Sequence, residues 1–391
     1  MTTVTPGHAL AEIVVDLDAV DHNIRTLAEV VAPARVMAVV KADGYNHGAL
    51  DVARTALAAG AAELGLATLG EALALRTGLR DAGAPDDEAP LTAWMWLADP
   101  EIEDLAAAVE YRVTLGIPSL AHLRAAVAAA RAAGGVAEVG LMVDTGLSRS
   151  GVSPDEWPTV LDEAVAAVDA GLLDVRGLFS HFASADDPAS PVTDLQEERF
   201  SDRIGECRSR GLDVPVNHIA NTPAALSRVD LRHEMVRPGV GIYGVDPCAI
   251  PSGVELRPAM TVRARVVTTR VVRKGEGVSY GHHWVAERDT RTAVVAVGYA
   301  DGIPRSISGR FGVTVDGTWY PQIGSVCMDQ IVVELGPADE ETPVRPGDWA
   351  VVFGEGGTSV DEFAEIAGTI PYEVLTMPRC RLARRVLPVR R

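Results

Sequence analysis

Lysine is almost absent from this sequence, so any reaction that needs a side-chain primary amine has very few candidate residues. The 35 basic residues include only Lys41 and Lys274, so the other 33 are arginines. Lys41 directly follows the apolar run 36–40, and the end of a parallel strand is where barrel enzymes carry reactive groups. A lysine withdrawn from water there has a lowered pKa and can form an imine with an aldehyde. A solvent-facing strand end is the alternative for Lys41, and Lys274, in a charged turn, is the weaker candidate.

Two further places in the sequence are suited to binding anions. Arg149 follows an apolar run, and its guanidinium suits a carboxylate held by two hydrogen bonds, with a salt bridge at a helix start as the alternative. Asn221, Thr222, Gly239 and Val240 follow the last two apolar runs, where barrels bind phosphate. The glycines of this segment also match a dinucleotide-binding pattern, but no helix is predicted after them, which disfavours that function.

Eight short apolar runs alternate with alanine-rich stretches of helical period, the pattern of βα units around a parallel sheet. They predict strands over 36–40, 64–67, 91–95, 113–115, 139–143, 175–179, 216–219 and 235–237, with helices such as 120–133 and 194–210 between them. Eight units in about 210 residues favour an α/β fold of the (β/α)8 TIM-barrel type over an open doubly wound sheet.

After Pro247 the sequence changes to β-branched runs separated by glycine and proline turns, which predicts a mostly β C-terminal domain. Such runs cover residues 261–272, 292–297 and 330–335. We therefore expect a barrel over residues 10–250 and a β domain over residues 251–391. A predicted strand over residues 10–18 lies outside the barrel count and is a candidate for pairing with the β domain.

Composition excludes several classes of function. The formal net charge of −19 disfavours binding to nucleic acid, and no apolar stretch reaches the roughly 18 residues of a membrane span. The first 20 residues lack the pattern of a signal peptide, so we expect a cytoplasmic protein. The four cysteines are far apart and form no metal-binding or disulfide pattern, so neither a metal nor a disulfide framework is expected.

The segment Lys41-Ala-Asp-Gly-Tyr45-Asn-His-Gly48 resembles the pyridoxal-phosphate lysine motif of alanine racemases, which consist of a (β/α)8 barrel followed by a β domain. Further segments resemble parts of that family in the family's order, namely residues 144–151, 180–183, 217–222, 236–244, 278–281, 298–302, 324–329 and 371–373. The resemblance spans roughly residues 10 to 387.

The resemblance implies two bases on opposite faces of the substrate α-carbon. Lys41 would hold pyridoxal 5′-phosphate as an aldimine and serve as one base, and Tyr280 would be the other. A phenol has a pKa of about 10, so Tyr280 needs a neighbour that stabilises its phenolate. His181 is implied to link Tyr280 to Arg237, which would bind the pyridine nitrogen and disfavour side reactions such as decarboxylation. Taken alone, His181 and Tyr280 would be interpreted as a strand-end histidine and a hairpin aromatic.

The resemblance also implies binding sites for the cofactor phosphate and for the substrate. The phosphate would be bound by Tyr45, Tyr372, Asn221, Thr222, Gly239 and Val240, with Tyr243 as a further candidate. The substrate carboxylate would be bound by Arg149 and by the backbone N–H of Met328. The entrance to the site would be lined by Tyr299, Asp301 and Arg305.

The sequence departs from the family pattern at Met142. Some members carry a lysine modified to a carbamate seven residues before the arginine that binds the carboxylate, and a thioether supplies no negative charge. Either an anion from solution or a nearby acid such as Asp144 orients Arg149, or Arg149 is held less tightly.

The resemblance implies racemisation of alanine, which supplies D-alanine for peptidoglycan. It also implies a head-to-tail homodimer, in which Tyr280 and Met328 complete the site that contains Lys41 of the partner subunit. Two alternatives stay open from the sequence. One is a racemase for another amino acid such as serine, and the other is a non-catalytic pyridoxal-phosphate carrier, a class that lacks a β domain.

Overall fold

The computed structural model describes residues 9–187 and 189–390, which divide into two compact units. One unit, called here the barrel unit, is Val20–Leu256, and the β unit combines the described residues of 1–19 and 257–391. The strands are β1 (Ala11–Asp16), β2 (Arg35–Val39), β3 (Glu63–Thr68), β4 (Leu91–Met95), β5 (Val113–Ile117), β6 (Ala137–Met142), β7 (Leu173–Phe179), β8 (Met235–Val236), β9 (Met260–Val272), β10 (Gly277–Val278), β11 (Trp284–Val285), β12 (Thr290–Val295), β13 (Gly312–Val315), β14 (Thr318–Ile323), β15 (Ile331–Pro337), β16 (Trp349–Phe353) and β17 (Ala383–Leu387).

The helices alternate with the strands of the barrel unit and are few in the β unit. They are α1 (Leu17–Val31), α2 (Lys41–Tyr45), α3 (Ala49–Ala58), α4 (Leu69–Asp81), α5 (Leu105–Glu110), α6 (Leu120–Ala133), α7 (Trp157–Asp169), α8 (Pro191–Ser209), α9 (Thr222–Ser227), α10 (Val360–Ala367) and α11 (Pro371–Thr376). Short 3-10 turns cover Asp86–Glu88, Val229–Leu231, Val240–Tyr243, Tyr280–His282, Tyr299–Asp301 and Arg305–Ile307.

The barrel unit is built on a parallel sheet in the order β7-β6-β5-β4-β3-β2-β8. The strand β2 pairs in parallel with both β3 and β8, so the first and last strands of the unit are neighbours. All these strands are largely apolar and buried, as expected for strands covered by helices on their outer face. The predicted fold class, a parallel βα barrel followed by a mostly β domain, is confirmed.

One predicted strand is wrong. Residues 216–219 form no regular strand, although His218 bridges to Phe179 of β7. Asn221, just after this segment, bridges to Arg237, which follows β8, so the ring is closed. The amide side chain of Asn217 accepts the N–H of Leu178 at 3.1 Å, a hydrogen bond that a strand ladder would give to a backbone carbonyl. The carboxylate of Glu234 in turn accepts the backbone N–H of Asn217 at 2.9 Å. A side chain therefore replaces one backbone carbonyl of the ladder with β7, whereas the N–H groups of Val216 and His218 still donate to backbone carbonyls of β7. Apolar patterning does not predict this replacement.

The helix bounds follow from local sequence signals. The prediction of a helix over residues 120–133 is confirmed, because Ser119 accepts the N–H of His122 at the start and Gly134 adopts a left-handed conformation after the end. The helix α8 begins at Pro191, three residues before the predicted start at 194, and proline is well suited to a first helical position.

The β unit contains a strand circuit in the order β12-β15-β14-β13-β16-β9, closed by pairing of β9 with β12. The strand β9 is long enough to pair with β1 and β16 along its first half and with β12 along its second half. The N-terminal strand β1 is antiparallel to β9 and parallel to β17. Although β1 comes first in the chain, its hydrogen bonds therefore lie within the β unit.

Candidate functional site

Lys41 begins a turn of left-handed backbone at the carboxyl end of β2. Residues 42–46 all have positive φ, between 50° and 68°. Such a conformation costs roughly 1–2 kcal/mol for each non-glycine residue, so the turn needs compensation. Two carboxylates provide it, because Glu71 accepts the N–H of Ala42 at 2.8 Å and Asp43 accepts the N–H of Ala49 at 2.9 Å. Backbone strain of this kind is typical of functional sites.

The amine of Lys41 is half-buried among positive charges. Burial is the main cause that lowers its pKa, and the nearby guanidinium groups of Arg149 and Arg237 lower the pKa further, whereas Glu71 opposes the shift. The Nζ atom also lies 5.9 Å from the centre of the Trp94 ring. A larger fraction of this amine is therefore neutral, and so nucleophilic, near neutral pH than for an ordinary lysine.

Arg237, at the end of β8, is the centre of a buried hydrogen-bond network and is only 5% exposed. Its Nη2 atom donates to the carbonyl of Ser180 at 2.6 Å, and its Nη1 atom donates to the carbonyl and the Nδ1 atom of His218 at 2.6 and 2.8 Å. Burial lowers the pKa of Arg237 to about 9, so the group still carries its charge at neutral pH. Arg237 therefore ties the ends of β7 and β8 to the segment between them.

His181 follows β7 and lies beside Arg237. The Nη2 atom of Arg237 is 3.3 Å from His181 Nδ1. Burial, followed by the charges of Arg237, Arg149 and Lys41, lowers the pKa of His181 to about 3, so the imidazole is neutral at physiological pH. Because Nδ1 accepts from an arginine, the single ring proton belongs on Nε2, which is left as a hydrogen-bond donor.

Tyr45, Thr222 and the glycines after β8 form a compact group. A Cβ atom at Gly239 would lie 2.5 Å from the Tyr45 hydroxyl, and one at Gly241 would lie 2.7 Å from a carbon of Thr222, so a larger residue at either position would displace the Tyr45 or Thr222 side chain. The Thr222 hydroxyl accepts the N–H groups of Gly239 and Gly241 at 3.0 and 3.3 Å. The Gly239 amide is thus already bonded within the protein, and Val240 begins the 3-10 turn after it.

Two neighbours of this group, Tyr243 and Asn221, form hydrogen bonds that stabilise the fold. Tyr243, predicted as a further phosphate donor, instead donates its hydroxyl to the carbonyl of Val39 at 3.1 Å, two residues before Lys41. The Tyr243 ring stacks on His47 with the ring centres 4.3 Å apart. Asn221 accepts the N–H of Ala224 and so caps α9. Tyr243 therefore supports the strand end that carries Lys41.

Arg149 lies in the loop after β6, and its side chain is exposed. The suggestion that Asp144 orients it receives no support, because Asp144 Oδ1 accepts the N–H groups of Gly146 and Ser148 at 2.9 and 3.1 Å. Met142 is buried beneath the loop, where its sulfur accepts the Ser150 hydroxyl at 3.6 Å. The carboxylate of Asp144 thus stabilises the backbone of the loop and does not orient the guanidinium of Arg149.

Tyr280 and Met328 lie in the β unit and are held by neighbouring loops. The hydroxyl of Ser325 donates to the carbonyl of Tyr280 at 3.0 Å, and the hydroxyl of Ser279 donates to the carbonyl of Ser325 at 2.8 Å. The carbonyl of Met328 accepts the N–H of Ala300 at 3.1 Å. The side chains of Tyr280 and Met328 are 73% and 52% exposed, so each presents a large apolar surface to solvent.

The three residues predicted at the entrance differ in their surroundings. Tyr299 and Arg305 line one surface pocket of the β unit, together with Glu373. Asp301 is buried and forms a two-pronged ion pair with Arg381, with both N–O distances at 2.9 Å. Asp301 therefore fixes the loop that carries Tyr299, and its carboxylate is neutralised by a residue that the sequence analysis did not single out.

The remaining predicted residues are readily located. Tyr372 lies in α11 of the β unit and is half-buried. Lys274 lies in a turn of the β unit, where its backbone N–H donates to Asp289 at 2.9 Å. The structure thus brings together Lys41, Tyr45, Arg149, His181, Thr222, Arg237 and Gly239 in the barrel unit, and it places Tyr280, Met328, Tyr299, Asp301, Arg305 and Tyr372 in the β unit.

Two functional neighbours were missed from the sequence. Glu71 is detectable as the last residue of a capping box that begins with Thr68, although its contact with Ala42 is not. His218 lies within the segment 217–222 that resembles the family. Its hydrogen bond to Arg237 forms only because the folded barrel brings this segment next to β8. Within the described ranges, no helix is long and apolar enough to cross a membrane, and no cluster of three or more side chains suits a metal ion.

Comparisons with known proteins agree over nearly the whole chain. The family model "Alanine racemase, N-terminal domain" matches residues 15–247, and the model "Alanine racemase, C-terminal domain" matches residues 259–386. The alanine racemase of Mycolicibacterium smegmatis is 47% identical over 383 residues, which cover 97% of this chain and 95% of that protein.

Solved structures of similar proteins share the fold. An alanine racemase from Streptomyces coelicolor superimposes with a TM-score of 0.92 at 41% identity, covering 97% of this chain and 99% of that chain. An alanine racemase from Bartonella henselae, described with covalently bound pyridoxal phosphate, has a TM-score of 0.84 at 25% identity and covers 97% of this chain and all of that chain.

Proposed function

The chain belongs to the alanine racemase family, and from this premise we infer that it interconverts L-alanine and D-alanine with pyridoxal 5′-phosphate as its cofactor. It is a pyridoxal-phosphate-dependent isomerase. The observation that carries this conclusion is the environment of Lys41, a strand-end amine whose pKa is lowered by burial beside two arginines. Such an amine suits covalent attachment of an aldehyde.

The residues of the barrel unit fit this cofactor. We propose that Lys41 holds its aldehyde carbon and that Arg237 faces its pyridine nitrogen. The Nη atoms of Arg237 are engaged by protein carbonyls and imidazoles, whereas its Nε–H has no partner among the described residues. That N–H is a donor for a ring nitrogen that stays unprotonated. Tyr45, Asn221, Thr222, Gly239 and Val240 are proposed to surround the phosphate, and Tyr372 of the β unit is proposed as a further donor to it.

When bound, pyridoxal phosphate withdraws electrons from the substrate α-carbon and so makes its proton removable. Arg149 is proposed to hold the substrate carboxylate through two hydrogen bonds, with the backbone N–H of Met328 as a further donor. The Nζ atom of Lys41 removes or returns the proton on one face of the α-carbon. Its lowered pKa keeps a useful fraction of the amine neutral for this purpose.

A racemase needs a second base, and the groups around Lys41 in the barrel unit are poorly suited to the role. Arg149 and Arg237 are cations, and His181, with a pKa of about 3, is a very weak base. We therefore propose Tyr280, with its Oη atom acting on the other face. His181 carries its proton on Nε2, as argued above, and this N–H is suited to stabilise a phenolate.

We propose that Tyr280 and Met328 act on a second copy of the chain, so that a head-to-tail homodimer has two shared sites. Their exposure supports this assignment, since both side chains are accessible to a second copy. Tyr299 and Arg305 are proposed to line the entrance, whereas the buried Asp301, predicted to line it as well, fixes the loop that carries Tyr299. The cofactor-binding domain is proposed to correspond to the barrel unit, and the domain that completes the site to the β unit.

We further propose a cytoplasmic role in supplying D-alanine for peptidoglycan. Its support is the family membership together with four free cysteines, which suit a reducing compartment. A bacterium that depends on added D-alanine is expected to grow without it when it expresses this chain. Continued dependence, with the protein present and soluble in the cell extract, would contradict the proposed role.

Incubation of L-alanine in deuterated water tests the activity. We expect optical rotation to decay to zero while deuterium enters the α-position, and the newly formed D-alanine is expected to carry deuterium before the remaining L-alanine does, because the two faces use different bases. Lys41→Ala should lower the rate by roughly a thousandfold or more, and Lys274→Arg should leave it unchanged. Stable optical rotation with the cofactor-loaded wild-type protein would contradict the assignment.

Mixing two inactive variants tests the shared site. Lys41→Ala and Tyr280→Phe chains are each expected to form inactive dimers, whereas a hybrid dimer has one intact site and one site with both lesions. Statistical exchange should restore about a quarter of the wild-type rate, because about half of the dimers are hybrids with one working site each. Hybrids that are seen by native mass spectrometry but recover no activity would contradict the arrangement.

A further inference from the structure

Gln196 lies in α8, a helix that carries none of the residues assigned a role above, and its side chain is only 1% exposed. Its amide is fully used. The Nε2 atom donates to the carbonyl of His181 at 3.0 Å and to the hydroxyl of Thr145 at 3.2 Å, and the Oε1 atom accepts the N–H of Ala183 at 2.8 Å. Both donors and the acceptor therefore reach out of the helix to two different loops.

These two loops carry functional residues. Thr145 begins the stretch of the loop after β6 that leads to Arg149, and His181 follows β7. The two loops also touch directly, because the hydroxyl groups of Thr145 and Ser180 are 2.8 Å apart. Since the carbonyl of Ser180 accepts from Arg237, the Gln196 amide is continuous with the network around Arg237.

The helix α8 packs closely against the loop that carries Arg149, at a position occupied by glycine. A Cβ atom at Gly146 would lie 3.0 Å from Nη1 of Arg199 and 3.6 Å from Cγ of Gln196, and Gly146 has a φ of 134°. The same Nη1 atom of Arg199 donates to the carbonyl of Thr145 at 2.9 Å. Two consecutive turns of α8 thus hold the first residues of this loop, although Arg149 itself is exposed.

We propose that Gln196 is a positioning residue for the racemase reaction. Its amide fixes the position of the loop that carries Arg149 relative to the loop that carries His181. The proposal rests on the proposed roles of these two residues. It also answers what fixes Arg149 when Met142 supplies no charge and Asp144 is used within the loop, since the fixing then comes from the base of the loop. An amide is required, because only this group offers two donors and an acceptor in one plane.

Replacement of the amide by a carboxylate tests the proposal with little change of shape. Gln196→Glu keeps an acceptor for the N–H of Ala183 but has no donor for His181 or Thr145. We therefore expect the two loops to be no longer held in a fixed position relative to each other. The holoenzyme is titrated with propionate, which has the carbon skeleton of alanine without the amine, and binding is followed by the absorbance of the cofactor. We expect Kd for propionate and KM for alanine to rise about tenfold each, and kcat to fall less.

A matched variant controls for charge and folding. Glu198→Gln makes the reverse change at an exposed position of the same helix and should leave Kd, KM and kcat within twofold of the wild type. If Gln196→Glu does not fold, Thr145→Val removes one acceptor of the amide from the other side and should weaken propionate in the same way, with Thr145→Ser restoring it.

The outcomes separate the inference from the function on which it rests. Arg149→Lys is expected to weaken propionate at least tenfold. If it does, and folded Gln196→Glu or Thr145→Val binds propionate as the wild type does, the positioning role is wrong. If Arg149→Lys itself binds propionate normally, the proposed carboxylate site is wrong, and the role of Gln196 falls with it.

Discussion

The proposed active site depends on the positive charge that surrounds one half-buried amine. Lys41 is half-buried, Arg149 and Arg237 lie within electrostatic reach, and one nearby carboxylate, that of Glu71, partly offsets them. This arrangement destabilises the ammonium form, which suits the proposed role of Lys41 in bonding to an aldehyde and later accepting a proton. The strained turn after Lys41 also contributes, since its backbone conformation fixes the positions from which the side chains of Lys41 and Tyr45 extend.

Arg237 joins the chemistry to the closure of the barrel. Its terminal nitrogens bind carbonyls of Ser180, His218 and Ile219, so the group that is proposed to face the cofactor ring also ties β7, the irregular segment and β8 together. A buried guanidinium needs many acceptors, and the ends of parallel strands supply them. Because its neighbours His181 and His218 have lowered pKa values, they accept from it as neutral rings.

The repeating parts of the fold could be predicted from the sequence, and the exceptions could not. Apolar runs and helix caps identified β2 to β7 and the bounds of α6, because hydrophobic period and capping are local. The irregularity of the segment before β8 escaped prediction, since Asn217 replaces one backbone acceptor of the ladder through a contact distant in the chain. The left-handed turn after Lys41 was equally hidden, because Ala42 and Asp43 do not favour it. For the site, chemical types singled out Lys41 and Arg149, whereas Gln196 and Arg381 act through partners that only the folded chain brings near.

Lys41 is proposed as the amine that binds the cofactor, and borohydride reduction of the holoenzyme followed by peptide mapping tests this assignment most directly. The sequence has only two lysines, so the map has one positive and one control position. Reduction should fix one pyridoxyl group per chain, on the peptide that contains Lys41, with none on the peptide that contains Lys274. A label on Lys274, or no label on a protein that binds the cofactor, would contradict the account.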